Sequence, residues 1–256
     1  MGEALNGDMP PIVLLHAAGL DRRMWDGVAA ALTGLGHDVR AVDLMGHGDA
    51  PAPPAGFSLV DLADDLADRL PTEPAVLAGV SLGGMVAQLC AVRHEARVAG
   101  LVLANTMAAP SPQMREVLES RGARTQQLGM AGMLDETIER WFPAAARATL
   151  PGVVSDVRGW LGEADTTVNA GTWRAIARLD VMDELAGLGV PALVLSGGAD
   201  ASVPAAITKE MCAALPDVRH VEFAGAGHLV PLEVPDRFVA EVDEFVRSTI
   251  MKGGRP

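Results

Sequence analysis

A chain of 256 residues suits one α/β domain, and 49% hydrophobic against 21% charged residues excludes a disordered tail or a disulfide-stapled miniature. The 20 basic residues face 33 acidic ones, a net charge of −13, and no Lys/Arg cluster appears, so neither nucleic acid nor an anionic membrane is an expected partner. Cys90 and Cys212 are the only cysteines and MGEALNGDMP is no secretory signal, so free thiols and a cytoplasmic location are expected.

Strand and helix signals alternate in the first hundred residues. Ile12–Leu15 is an apolar run after Pro10-Pro11 and reads as a strand. Asp26–Leu35 has helical spacing and ends among glycines. Asp38–Leu44 reads as a second strand. Leu59–Leu70 sets Leu59, Leu62, Leu66 and Leu70 on one helical face, with Ser58 placed to cap it. Ala75–Ala78 is a third strand, Met85–His94 a helix and Val98–Ala104 a fourth strand. Ala75–Val92 is 18 residues without a charge, the length of a short membrane span. Gly83-Gly84 interrupts it, and a buried strand followed by a buried helix reads the same way.

From about 108 to 176 no strand is evident, and segments 113–121, 134–142 and 172–179 read as helices. The α/β rhythm then resumes: a helix over Leu179–Leu188, a strand over Ala192–Ser196, a helix over Ala205–Leu215, a strand over Arg219–Phe223 and a helix over Asp236–Ile250. Apolar strands alternating with helices imply a doubly wound, mostly parallel sheet. The expected division is a core of 1–107 with 177–256, and a helical insertion over 108–176.

Gly79-Val80-Ser81-Leu82-Gly83 is G-x-S-x-G between a strand and a helix. A serine on so sharp a turn needs small residues two positions either side, or side chains would block the turn that exposes its hydroxyl. A serine nucleophile needs a base. Of the six histidines, His228 in Gly-Ala-Gly-His follows the last strand, where parallel sheets carry their sites. His220 starts that strand at the opposite edge, and His94 ends a helix. The base needs an orienting acid. Asp200 follows the Ala192–Ser196 strand, whereas Asp217 precedes the last strand and Glu222 lies inside it. Position 105, after the fourth strand, is Asn. The order Ser81, Asp200, His228 is one known chain order for such a triad. An oxyanion needs two N–H donors. Leu82 offers one, and the loop His16-Ala17-Ala18-Gly19 offers the other, at Ala18 or, as second choice, Ala17.

Over almost its whole length the chain resembles an α/β-hydrolase-fold enzyme, through VLLHAAG, VRAVDLMGHG, LAGVSLGGMVAQ, VAGLVLANT, VPALVLSGGADASVP and AGAGHLVPLEVPDRF. LANT, Glu139-Arg140-Trp141-Phe142 and the MWD at 24–26 are similar to the 3-oxoadipate enol-lactonase branch. The common H-G-x-G is H-A-A-G here, Met45 replaces the usual basic residue before G-H-G, and no tyrosine occurs. The resemblance implies a helical cap over the site. Candidate substrate contacts are Trp25, Arg140, Trp141 and Trp160, with Phe142 and Trp173 behind them. An anionic substrate would require a local cation in this acidic chain, from Arg22, Arg23, Arg140 or Arg174. The expected activity is hydrolysis of a small-molecule ester or lactone by a monomer or homodimer. No cofactor is expected, and no metal-ligand spacing is present. Perhydrolysis or C–C bond hydrolysis on the same triad, and a non-enzymatic receptor on the same fold, are the rivals.

Overall fold

The computed structural model describes residues 9–253. Six strands form one parallel sheet: β1 (Ile12–Leu15), β2 (Val39–Val42), β3 (Ala75–Val80), β4 (Val98–Ala104), β5 (Ala192–Gly197) and β6 (Val218–Phe223), in the order β2-β1-β3-β4-β5-β6. Both faces are covered, because side chains alternate along each strand. Val13 and Leu15 pack with α2 (Leu59–Arg69) and α3 (Leu82–Arg93), whereas Ile12 and Leu14 pack with α1 (Asp26–Gly34) and α11 (Pro235–Gly253). All four β1 side chains are buried. Truncating such a leucine costs about 2–5 kcal/mol.

Two sequence expectations are met in atomic detail. Ser58 caps α2 reciprocally: its N–H donates to Asp61 Oδ2 at 2.7 Å, and the Asp61 N–H donates back to Ser58 Oγ at 3.4 Å. The uncharged run 75–92 divides into β3 and α3, both buried, and among the described residues no helix is long and apolar enough to cross a membrane.

The strand order places the site. From β1 the chain moves outward to β2, then returns to β3 on the other side of β1. This reversal opens a crevice at the carboxyl ends of β1 and β3, where Leu15 pairs with Gly79. The loop after β1 and the turn after β3 therefore lie side by side.

Between β4 and β5 the chain is more helical than its sequence suggests. It forms α4 (Pro112–Trp141), α5 (Ala144–Thr149), α6 (Pro151–Glu163) and α7 (Thr166–Ala177). The sequence pattern marks no helix at α6. It also splits α4 into two segments with a gap, where the helix runs on to a break at Gly129, whose φ of 68° is left-handed. Arg121 Nη2 donates to Thr137 Oγ1 at 2.7 Å across that break. Sixteen residues of straight helix would span about 24 Å, so the two halves of α4 fold back on one another. In the other direction, Leu179–Leu188 reduces to one short helix, α8 (Met182–Leu185). The remaining elements are α9 (Ala205–Ala214), α10 (Val230–Glu233) and two short 3-10 turns, at Arg22–Trp25 and Glu95–Arg97.

Candidate active site

Ser81 stands between β3 and α3 with φ 55° and ψ −115°, a strained conformation for a residue with a side chain. Local packing holds it there. The Ser81 N–H donates to Ala104 O at 2.9 Å, and Thr106 Oγ1 donates to Ser81 O at 2.7 Å. A Cβ on Gly79 would run into the backbone of Gly83, and one on Gly83 into the carbonyl of Leu15. Both glycines are thus required by close approach, as the G-x-S-x-G pattern implies. The turn also ties the two loops together, since the Gly83 N–H donates to His16 O at 3.0 Å.

His228 follows β6 and is 2% exposed. Its Nδ1 lies 2.9 Å from Asp200 Oδ2. Asp200 is an acceptor four times over: Oδ2 also takes Asn105 Nδ2 at 2.7 Å, and Oδ1 takes the N–H groups of Ser202 at 2.7 Å and Val203 at 3.2 Å. Such a group stays a carboxylate. Burial pushes Asp200 up, but the His228 charge and the bonds from His228, Asn105 and Ser202 outweigh it, so the carboxyl sits below its usual range. The carboxylate then selects the imidazole tautomer that carries its proton on Nδ1 and leaves Nε2 as the acceptor.

Two residues to which the sequence reading gives no role complete the frame. Asn105 has φ 45° and bridges Asp200 to Gly227 O at 3.2 Å. Glu233, on α10, accepts the N–H of Gly227 at 2.8 Å and of Leu229 at 3.1 Å, one on each side of His228. Burial pushes Glu233 up, against the two amides that stabilise its charge. Signals exist for both: an Asn at a strand end, where left-handed backbone is tolerated, and a carboxylate five residues past a histidine.

The other histidines are engaged elsewhere. His37 binds Asp243 at 2.6 Å, His94 binds Asp64 at 2.7 Å, and His220 binds Ser196 Oγ at 2.8 Å. His16 lies under the β1 loop, its Nδ1 2.9 Å from Ala17 O while its Nε2 accepts the Leu44 N–H at 2.9 Å. Burial, with the neighbouring His47, drives it down to about 3, so it stays neutral and cannot serve as a base near neutral pH. The amides of Ala18 and Leu82 are buried in the crevice and enter no backbone hydrogen bond among the described residues; the same is true of Ala17.

The aromatic candidates separate. Trp141 stacks on His228, with ring centroids 5.7 Å apart, and its carbonyl accepts the His228 N–H at 2.8 Å. Trp25 is turned away from the crevice: it is 0% exposed and packs on Phe238 of α11 at 5.8 Å, so its place is the core. Phe142 is likewise fully buried. Trp160 lines a cleft of about 430 Å³ between the insertion and the loops after β1 and β2. Neither Ser81 nor His228 lines this cleft, but Gly19, next to Ala18, does. Its walls hold five carboxylates, Asp21, Asp43, Asp49, Glu163 and Asp165, against Arg22 and Arg23. Both arginines are engaged, Arg22 by Asp43 and by Asp49 at 2.7 Å, and Arg23 by Asp21 and Glu163, each at 2.6 Å. Arg140 faces a different cavity, and Trp173 stacks under Arg121. Among the described residues no group of three or more His, Cys, Asp or Glu side chains is arranged to hold a metal ion.

Residues 12–241 match the model of the alpha/beta hydrolase family. The chain belongs to that family. This hydrolase is 32% identical to the pimeloyl-[acyl-carrier protein] methyl ester esterase of Aeromonas hydrophila, covering 94% of the present chain and 96% of the relative. It is 27% identical to 3-oxoadipate enol-lactonase 1 of Acinetobacter baylyi, covering 95% and 92%. Among solved structures, the enol-lactonase from Burkholderia xenovorans LB400 superposes with a TM-score of 0.87 at 33% identity, covering 96% and 94%. The hydrolase falls with the carboxylic ester hydrolases, and the expected likeness to enol-lactonases is met.

Proposed function

We propose that this hydrolase cleaves an uncharged ester or lactone of a small molecule by acyl transfer through Ser81, with water as the final acceptor. The observation that carries the reading is the His228–Asp200 hydrogen bond of 2.9 Å at the carboxyl end of the same sheet that carries the strained Ser81 turn. With its Nδ1 proton held by Asp200, His228 can take the Ser81 proton on Nε2 as Oγ attacks the carbonyl. The negative charge that develops on the carbonyl oxygen is met by the amides of Leu82 and Ala18. Two buried N–H groups without a backbone acceptor support that role. His228 then returns its proton to the departing alkoxide, activates a water against the acyl-enzyme, and regenerates Ser81.

Helices α4–α7 act in this reading as a cap. Trp141 stacks on His228 and shields it from water, and Trp160 lines the neighbouring cleft that reaches Gly19, next to Ala18. Charge decides between substrate classes. In the cleft that reaches Gly19, carboxylates outnumber arginines and both arginines are already paired, so a carboxylated enol-lactone would find no free cation there. The free thiols Cys90 and Cys212 fit work in a reducing cytoplasm.

A hydrolysis panel tests the reading. Neutral aryl esters and simple lactones are expected to give kcat/KM at least 10-fold above a carboxylated enol-lactone, with all activity lost in Ser81→Ala at unchanged folding. Preference for the carboxylated lactone would overturn the substrate assignment, and full activity in Ser81→Ala would overturn the mechanism.

A further inference from the structure

The hairpin made by the two halves of α4 borders an open pocket of about 260 Å³ that none of Ser81, Asp200 or His228 lines. Three guanidinium groups converge on it, from Arg121, Arg124 and Arg140. One carboxylate answers all three: Glu136 lies 3.2 Å from Arg121, 2.5 Å from Arg124 and 3.9 Å from Arg140. Glu116, also at the wall, forms no ion pair among the described residues.

Arg121 is the unusual member. It is 7% exposed, it stacks on Trp173 at 4.5 Å, and its Nε has no partner among the described residues. Its Nη2 goes to Thr137, a neutral acceptor. A buried cation with a share of one carboxylate and a neutral hydroxyl is under-compensated. Burial and the neighbouring Arg140 and Arg124 accordingly push it down to about 10, against the pull of Glu136. In a chain of net charge −13, so concentrated a positive pocket is not the general character of the surface.

We propose that this pocket is an oxyanion-binding site, taking a phosphate or carboxylate group between Arg124 and Arg140, with Arg121 as its buried anchor. Guanidinium forks suit both anions, and a bound oxyanion supplies the charge that Glu136 alone does not. The site is separate from the Ser81 crevice and does not depend on the hydrolytic reading.

Thermal unfolding and isothermal titration of the full chain test it, with sodium phosphate, sodium acetate and sodium chloride at matched pH and ionic strength. Phosphate or acetate is expected to raise Tm saturably and chloride not to do so. The oxyanion that acts identifies the group recognised. The double variant Arg124→Gln/Arg140→Gln removes two exposed side chains, so it should fold, and it is expected to bind at least 10-fold more weakly. Ser81→Ala is expected to bind as the native chain does. Equal responses to all three salts, or an undiminished response in the double variant, would overturn the proposal.

Discussion

The sheet and the helical insertion hold their functional groups by different means. At the sheet, main chain is what is held: the backbone of the Ser81 turn is pinned by Ala104 O and Thr106 Oγ1, and that of the His228 loop by Glu233 accepting its flanking amides. In α4–α7 it is side chains: Trp141 on His228, Trp160 in the cleft wall, and three arginines around Glu136. The difference teaches where to expect chemistry and where selectivity. Backbone fixed by a parallel sheet tolerates little movement and suits a reaction that needs sub-ångström placement. Side chains on helices can be exchanged without disturbing that placement.

Variants can break this contrast. Asp200→Asn removes the charge that selects the His228 tautomer and stabilises the imidazolium, and should lower kcat roughly 10⁴-fold with little change in KM. A loss below about 10-fold in steady-state assays would mean that the sheet end is not organised this way. Glu233→Gln leaves one flanking amide without its carboxylate and should lower kcat between about 10- and 100-fold, through His228 placement, with the fold retained by circular dichroism. On the insertion side, Trp160→Ala should raise KM about 5-fold, roughly 1 kcal/mol, while kcat is preserved. A fall in kcat with unchanged KM would place Trp160 in the chemistry instead.

A separate effect concerns stability. His16 titrates at about 3 when folded and near 6.5 when unfolded, so between those values the unfolded chain binds a proton that the folded one refuses. Its contribution is fully present above pH 6.5 and is lost as pH falls toward 3, at about 1.4 kcal/mol per unit. Denaturant midpoints measured against pH should show this slope in the native chain and a shallower one in His16→Gln. Equal slopes would mean that His16 is not held neutral.

Much of the sheet end is legible in the sequence because its constraints act on residue type. Only glycine fits at 79 and 83, and an acid and a histidine that follow parallel strands stand out by type and position, as the Asp200–His228 hydrogen bond reflects. Asn105 and Glu233 escape because their work is to bind a carboxylate and two amides, which many polar residues could do from many positions. The insertion is harder to read. Arg140 and Trp141 are neighbours in sequence, yet a helix turns by about 100° per residue, so one faces the arginine cavity and the other His228. The fold-back of α4 hangs on the backbone angle of Gly129 alone. Trp25 sits near the loop after β1 in sequence, but its bulk is used against Phe238.

Covalent trapping tests the central claim most directly. An uncharged aryl phosphonate ester added to the native chain should give one mass increment, mapped by peptide sequencing to Ser81, formed far more slowly in Asp200→Asn and absent in Ser81→Ala. An adduct on any other residue, or an undiminished one in Ser81→Ala, would contradict the account.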